Sequence, residues 1–380
     1  MQLKKIQADD NWQQRLENIG FGYHTDENNQ TYWVENYYYS INEKEADQIF
    51  EATNELWEMC LKAVDHVIEN NRFDEFKIPK FIQPYLINTW ENDVPSIYGR
   101  FDFAYNNGQL KLLEFNADTP TSLFECGVVQ WLWMENYFGD TKDQFNSVHD
   151  KLIDTWKMLK PYLKGETLHF SCVRESLEDL TNIEYIRDCA IQAGINTKLI
   201  YVDEIGWNNV NFVDLKEEPI TDIFKLYPWE WMVNELFAYN IKNDENVANW
   251  IEPAWKMILS NKAILPILWE LYPNHPLLLE AYFESPKEMK NFVKKPLLSR
   301  EGANIEVTKD GIVTEKTSGE YGEEGYIYQE LADLHKEETG FTIIGSWLIG
   351  QESCGITFRE SDQFITTDKS RFVPHIIENS

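Results

Sequence analysis

The chain has 380 residues, of which 43% are hydrophobic and 14% aromatic, so it can bury a large core and is not disordered. Its formal net charge of −30 weighs against nucleic acid or an anionic membrane as a partner, although it suits a cationic substrate such as a polyamine. Neither a signal peptide nor a transmembrane span is predicted, because every apolar run is too short or is interrupted.

The cysteines are odd in number and lack C-x-x-C spacing, which argues against a disulfide framework and a zinc site. This pattern favours a reducing compartment, and the cytoplasm is the predicted location. We expect the thiol nearest the polar hairpin described below, Cys126, to be structural and not a nucleophile. The oligomeric state stays open.

The first clear elements are a long helix and a hairpin. Residues 42–71 carry apolar side chains at helical spacing. Residues 98–116 then alternate apolar and polar side chains on both sides of Asn106-Asn107-Gly108, and Asn-Gly between two alternating segments predicts a β-hairpin. Two further helices are predicted, over 122–137 and 142–163.

Polar residues two apart on each hairpin strand must share one face. This places Arg100 beside Asp102 and Glu114 beside Asn116. Hard oxygen ligands of this kind suit Mg²⁺, and an arginine fork matches a phosphate. A solvated hairpin face is the alternative, but the interleaved phenylalanines and leucines favour a buried sheet whose polar face lines a cleft.

The middle of the chain changes pattern. A strand at 167–173, a helix at 183–195 and a strand at 197–205 predict a βαβ unit with a parallel sheet. Residues 212–231 add a possible edge strand and a buried strand. We therefore predict an α+β protein with an α/β insert, the insert covering 165–240, followed by a strand-rich C-terminal third.

The motif R-x-D, hairpin, E-F-N-A-D-T-P-T resembles the ATP-grasp synthetase domain of the glutathionylspermidine synthase family. LYPWEW, NKAILPILWELYPNHP, VKKPLLSREGANI, YIYQEL and SRFVPH follow in the family's order, and the chain is most similar to members without the amidase half. The resemblance implies an ATP-grasp fold with a small βαβ, pre-ATP-grasp-like subdomain and a strand-rich lid. The implied parts are a metal-binding part (1–164), the insert as substrate subdomain (165–240), and a nucleotide-binding lid with the return to the core (241–380).

The resemblance also implies roles for single residues. The metal ligands for two Mg²⁺ ions would be Asp102, Glu114 and Asn116, and the catalytic arginines at the transferring phosphate would be Arg100 and Arg359. The ATP-binding residues would be Lys262, Lys295, Gly302, Gln329, Glu330 and Leu331, with the choice between Lys294 and Lys295 left open. The substrate residues would be Thr119, Thr121, Glu178, Asp179 and Glu230.

The resemblance implies an ATP-dependent carboxylate–amine ligase that joins a peptide carboxylate to an amine or polyamine through an acyl phosphate. One alternative is a non-catalytic nucleotide-binding module. Another is a glycosidase that uses Asp102 and Glu114 as its carboxylate pair, but this leaves the lysines and arginines without a role. The match around Glu178 is loose, so the identities of the acid and the amine stay open.

Overall fold

A computed structural model describes residues 1–26, 29–241 and 248–378. The α-helices in these ranges are α1 Trp12–Asn18, α2 Glu43–Glu69, α3 Gln83–Glu91, α4 Gln130–Phe138, α5 Val148–Leu159, α6 Leu177–Gln192, α7 Trp229–Met232, α8 Lys256–Leu259 and α9 Ile264–Leu271. A π-helical turn, Glu125–Val129, runs directly into α4.

The strands in the described ranges form several separate sheets. They are β1 Gln2–Lys5, β2 Tyr37–Asn42, β3 Tyr98–Asn106, β4 Gln109–Asn116, β5 Thr167–Cys172, β6 Asn196–Tyr201, β7 Gly206–Trp207, β8 Phe212–Val213, β9 Asp222–Leu226, β10 Asn249–Ile251, β11 Ala281–Phe283, β12 Phe292–Pro296, β13 Glu306–Lys309, β14 Ile312–Lys316, β15 Tyr326–Glu330, β16 His335–Glu337, β17 Gly340–Ile349, β18 Glu352–Ser361, β19 Arg371–Val373 and β20 His375–Glu378.

The predicted hairpin is present as β3 and β4. Asn107 and Gly108 have φ of 50° and 78°, the left-handed conformations that a tight hairpin turn needs and that Asn-Gly supplies at low cost. The hairpin belongs to a six-stranded sheet with the order β19-β18-β17-β3-β4, to which β16 is attached through β17. This sheet therefore joins strands from both ends of the chain.

The predicted helix at 42–71 is α2. Asn42 and Glu45 form a reciprocal capping box at its start, which satisfies two backbone donors. Its apolar face covers the six-stranded sheet, where Trp57 packs edge-on against Phe115 of β4. The apolar side chains of the hairpin are thereby buried on the face opposite its polar side chains.

The predicted βαβ unit is also present, within a four-stranded parallel sheet of order β10-β9-β5-β6. Its helix, α6, begins at Leu177, earlier than the predicted residue 183, because Ser176 accepts a hydrogen bond from the backbone N–H of Asp179 and caps the helix. The predicted edge strand at 212 pairs with β7 in a separate two-stranded sheet. The parallel sheet also includes β10, beyond residue 240 where the predicted insert ends.

The C-terminal third is rich in strands, as expected. Its five-stranded antiparallel sheet has the order β11-β15-β12-β13-β14. This sheet and the six-stranded sheet line opposite sides of one cavity. The chain is thus a mixed α/β protein. The polar face of its hairpin and the five-stranded sheet lie on opposite sides of a cleft.

Among the helices of the described ranges, none is both long and apolar enough to cross a membrane. All five cysteines are free and buried. Burial raises the pKa of the Cys126 thiol well above its ordinary value, and its Sγ accepts a hydrogen bond from Gln130, which agrees with a structural role.

Candidate active site

The hairpin brings its four polar side chains together. Asp102 lies directly opposite Glu114, and Arg100 opposite Asn116. The guanidinium of Arg100 donates from Nε to Asp102 Oδ1 at 2.7 Å and from Nη2 to Oδ2 at 3.1 Å, so the pair is bidentate. Asn116 Nδ2 donates to both carboxylates, at 3.1 Å to Asp102 and 3.3 Å to Glu114. A β-bulge between Asp102 and Phe103, which leaves Leu113 of β4 without a partner in the register, shifts the pairing by one residue and brings the four polar side chains onto one face.

Arg359 joins the hairpin from β18. Its Nη2 donates to Asp102 Oδ2 at 2.6 Å, across β17, which separates the two strands. Asp102 is only 1% exposed and is held between two guanidinium groups. The two arginines supply hydrogen bonds that replace those Asp102 would make with water.

Two lysines reach the same face from the other side of the cleft. Lys262 Nζ lies 3.0 Å from Glu114 Oε2, and Lys295 Nζ donates to Gln329 Oε1 at 2.7 Å and to the Leu113 carbonyl at 3.0 Å. Burial alone would raise the pKa of Glu114, but Lys262 and then Lys295 outweigh it and hold that pKa well below its usual range. Burial, helped by the charge of Lys262 and opposed by Glu114, lowers the pKa of Lys295 to about 8.

The structure separates the adjacent lysines of β12. Lys295 lines the cavity, whereas the Nζ of Lys294 lies 4.1 Å from the ring centroid of Tyr326. Alternation along the strand sends the two side chains to opposite faces. Lys295 is therefore the member of the pair placed to meet a ligand in the cavity.

Three of the expected ATP-binding residues, Gln329, Glu330 and Leu331, lie at the end of β15 and directly after it. Gln329 and Glu330 line the cavity. Leu331 does not contribute to this lining, and its backbone N–H donates to the Asn291 carbonyl at 3.1 Å. Two of these three residues thus line the cavity.

Gly302 lies in the loop between β12 and β13 and lines the cavity. Its φ is 70°, and a Cβ there would lie 2.5 Å from the Thr366 carbonyl oxygen, so any side chain would be strained and would clash. The close approach that this glycine permits in the structure is to the segment around Thr366.

The loop after β4 lines part of the cavity. Thr119, Thr121 and Ser122 all line it, and Arg100 Nη1 donates to the Thr121 carbonyl at 2.5 Å. Ser122 is buried, at 2% exposed, and has a φ of 71°. This backbone conformation costs free energy for a residue with a Cβ. The loop is therefore held in one shape next to the carboxylates.

Arg300 is a site residue that the sequence interpretation missed. Its Nη2 donates to Thr119 Oγ1 at 2.7 Å, and its Nη1 donates to Glu230 Oε1 at 3.2 Å. Glu230 does not line the cavity itself but reaches it through this arginine. The sequence did contain a signal for Arg300, because an arginine two residues before a loop glycine is well placed to bind an anion.

The insert contributes Glu178 from the first turn of α6. Glu178 lines the cavity, while Asp179 does not and instead lies near Arg300. Burial, and next the charge of Glu125, raises the pKa of Glu178 to about 8. Because α6 begins at Leu177, Glu178 lies in its first turn, and its side chain lines the cavity.

The cavity has a charged end and an apolar end. The cations and carboxylates described above form the charged end. The apolar end is lined by Val293, Ile305, Val307, Ala332, Leu334, Ile343, Phe364 and Ile365. A ligand with a flat apolar group and a phosphate tail matches this distribution.

The donor set fits Mg²⁺ only in combination with a ligand. Within the described ranges no group of three or more His, Cys, Asp or Glu side chains could hold a metal ion. Asp102, Glu114 and Asn116 offer two carboxylates and one amide oxygen, and Mg²⁺ is commonly held by one or two carboxylates together with substrate phosphates and water. These residues therefore fit a metal that enters with a nucleotide.

Named relatives match most of this chain. The chain is 41% identical over 377 residues to a Haemophilus influenzae protein named as an acid–amine ligase, covering 95% of each chain. It is 32% identical to the trypanothione synthetase of Crithidia fasciculata, covering 88% of this chain and 56% of that protein. It is 28% identical to the bifunctional glutathionylspermidine synthetase/amidase of Escherichia coli, covering 90% and 59%. The chain thus spans a little over half of the two longer relatives.

Among solved structures, a glutathione synthetase-like effector from Globodera pallida superposes with a TM-score of 0.57 at 10% identity, covering 90% of this chain and 89% of that one. This similarity concerns the fold alone. The family described as glutathionylspermidine synthase preATP-grasp matches residues 3–378. The chain therefore belongs to the glutathionylspermidine synthase family.

Proposed function

We propose that the chain is an ATP-dependent ligase that joins a carboxylate to an amine through an acyl phosphate. The observation that carries the proposal is the charged end of the cavity, where Asp102 and Glu114 face Arg100, Arg359 and Lys262 at hydrogen-bond distances. Relatives that are named as acid–amine ligase and glutathionylspermidine synthetase support it. They give no support to the glycosidase or to the non-catalytic module.

The nucleotide is proposed to lie with its base at the apolar end and its phosphates at the charged end. Gln329 and Glu330 would border the base, and Lys262 and Lys295 would neutralise the phosphates. The finer fold assignment is part of this proposal: an ATP-grasp core, a pre-ATP-grasp-like subdomain containing the parallel sheet, and a lid that includes Gly302. The boundaries 1–164, 165–240 and 241–380 remain predictions.

Asp102, Glu114 and Asn116 would hold Mg²⁺, and two ions remain the predicted number. Bound Mg²⁺ would supply charge neutralisation at the transferring phosphate. Lys262 pairs with Glu114 and Arg359 pairs with Asp102, so both proposed carboxylate ligands already have a cationic partner. The two cations would have to share or release these carboxylates when a metal binds. The arginines and lysines would then be free to contact the phosphate oxygens.

The loop at Thr119–Thr121 is proposed to bind the acid substrate next to the metal ligands, and Arg300 would fix this loop through Thr119. The amine would approach from the insert side, near Glu178. The chemistry needs no covalent enzyme intermediate, because positioning and charge neutralisation lower the barrier. A peptide carboxylate and an amine or polyamine are the proposed substrate classes.

The test is phosphate release from ATP with Mg²⁺, screened against a matrix of carboxylates and amines. The proposal expects turnover only when both substrates are present, together with an amide product in the mass spectrum. Nucleotide binding without turnover in any pair would instead favour the non-catalytic module. ATP turnover at the same rate with and without the amine would refute amide formation.

A further inference from the structure

A buried ion pair lies behind the loop that follows β4 and has no role in the proposed reaction. Lys225 Nζ donates to Asp118 Oδ1 at 2.7 Å and to the Tyr227 carbonyl at 3.0 Å. The side chains of Asp118 and Lys225 are 1% and 2% exposed, and neither lines the cavity that contains the proposed metal ligands. A buried ion pair is weak evidence for stability, because desolvation opposes the attraction. Its place directly before Thr119 therefore calls for another explanation.

The second oxygen of Asp118 connects this pair to helix α7. The backbone N–H of Trp229, the first residue of α7, donates to Asp118 Oδ2 at 2.7 Å. Trp229 is 0% exposed, and Lys225 Nζ lies 4.8 Å from the centroid of its ring. Asp118 therefore fixes the start of α7 against the loop that follows β4.

Helix α7 in turn holds Arg300. Glu230 Oε1 accepts a hydrogen bond from Arg300 Nη1 at 3.2 Å, and the centroid of the Trp231 ring lies 5.7 Å from Arg300 Cζ. Arg300 Nη2 donates to Thr119 Oγ1 at 2.7 Å, and Thr119 directly follows Asp118 in the chain. These contacts form a closed circuit that joins the loop after β4, helix α7 and the loop between β12 and β13.

The circuit leaves part of the Arg300 guanidinium for a ligand. Its hydrogen bonds to Glu230 and Thr119 use at most three of its five N–H groups in the part of the chain that the structure describes. The side chain of Arg300 is 30% exposed and lines the cavity. A side chain that is already held in place loses less conformational entropy when it binds. Arg300 is thus preorganised for an anionic group of a ligand.

We propose that Asp118, Lys225 and Glu230 form a frame that holds Arg300 against Thr119 in position for the acid substrate. The inference rests on the proposed function and deepens it, because it makes these three residues positioning residues that do not touch the substrate. Asp118 fixes α7, Lys225 compensates the charge of Asp118, and Glu230 orients the guanidinium. The frame should determine the KM for the acid and leave the KM for ATP unchanged.

Modification of Arg300 by phenylglyoxal, measured by mass spectrometry on the full chain, tests the frame without a substrate. Asp118→Asn keeps the size of the side chain and removes its charge, so Arg300 should lose its support and react roughly threefold faster or more. Glu230→Gln removes the direct ion pair and should act in the same direction. Arg187, whose guanidinium pairs with Glu184, is the internal reference in each variant.

Steady-state kinetics separate positioning from a general loss of stability. The assay uses the acid and amine that turn over, with glutathione and spermidine as the first pair tested. Asp118→Asn should raise the KM for the acid about fivefold or more and leave the KM for ATP within about twofold. The same substitution should change the KM for the acid by less than about twofold in an Arg300→Met background, because the frame acts through that arginine. Additive effects of the two substitutions would overturn the inference.

Asp214→Asn is the matched control. The Asp214 side chain is also 1% exposed, pairs with Lys198 and accepts a hydrogen bond from a backbone N–H, that of Lys216, at 2.8 Å. It lies in the predicted insert and does not line the cavity. The control should lower thermal stability as Asp118→Asn does, while the reactivity of Arg300 and the KM for the acid stay as in the wild type. Equal changes in both variants would show a merely structural role and overturn the inference.

If Asp118→Asn fails to fold, Glu230→Gln carries both measurements, since it keeps the buried ion pair intact. Unchanged reactivity of Arg300, or an unchanged KM for the acid, in the folded variants would overturn the inference and leave the proposed function standing. Faster modification of Arg300 in variants of a chain that turns over no acid and amine would support the frame and count against the proposed function.

Discussion

The substitution Glu114→Gln tests whether Glu114 is a metal ligand or a carboxylate with only a structural role. The substitution keeps the size of the side chain and removes one charge 3.0 Å from Lys262 Nζ. At an effective dielectric constant of about 20 the lost attraction is roughly 5 kcal/mol before solvation is considered. After solvation, a charge-assisted hydrogen bond contributes about 1.5–3 kcal/mol, or roughly a tenfold to 150-fold change in an equilibrium constant.

The expected effects have opposite signs in the two binding experiments. Without Mg²⁺, ADP should bind as tightly as in the wild type or tighter, because Lys262 no longer has a competing carboxylate. With Mg²⁺, the gain in ADP affinity that the metal gives the wild type should be lost, and ATP turnover should stop. Calorimetry with and without Mg²⁺ measures the two ADP affinities. Phosphate release measures ATP turnover.

Glu306→Gln is the matched control. Glu306 pairs with Lys316 at 3.3 Å, and its side chain is 23% exposed, close to the 27% of Glu114, but it does not line the cavity. It should leave both binding experiments and turnover unchanged. Near-native turnover in Glu114→Gln, or weaker Mg²⁺-free binding of ADP, would refute the reasoning.

Three further outcomes are expected. Lys262→Met and Lys295→Met should each weaken ADP binding by about 1–3 kcal/mol, whereas Lys294→Met should not; equal affinities in all three by calorimetry would move the nucleotide elsewhere. Since the pKa of Lys295 is about 8, ADP affinity should fall as pH rises through that value, and Lys295→Arg should flatten this part of the titration; a profile unchanged by the substitution would contradict the assignment. Proteolytic cleavage within residues 299–325 should be slowed by Mg²⁺ with ATP, and identical rates with and without nucleotide would mean that this segment is not the lid.

The neighbours Arg359 and Glu360 show how tertiary structure settles what the sequence left open. Two adjacent residues of opposite charge could simply form an ion pair with each other. In β18 they point to opposite faces: Arg359 reaches Asp102, while Glu360 accepts hydrogen bonds from Tyr37, at 2.8 Å, and Tyr39, at 2.9 Å. Alternation along a strand separates adjacent side chains, and the pairing of β18 with β17 decides which face meets the hairpin.

Local sequence signals predict the hairpin and the alternation along each of its strands. Asn107-Gly108 selects the turn, and period-two alternation places Arg100 beside Asp102 and Glu114 beside Asn116, because both effects act over a few residues. The β-bulge between Asp102 and Phe103 then sets the register that brings the two pairs onto one face, and no signal in the sequence predicted it. The ordered family motifs likewise identified the family that the whole-chain match confirms.

Contacts between distant segments of the chain become visible only in the folded structure. Lys262 reaches Glu114 from 148 positions further along the chain because two sheets close over one cavity. The link from Arg300 to Thr119 depends in the same way on the packing of separate elements. Local propensity carries no information about such contacts, since they form only when the whole core is assembled.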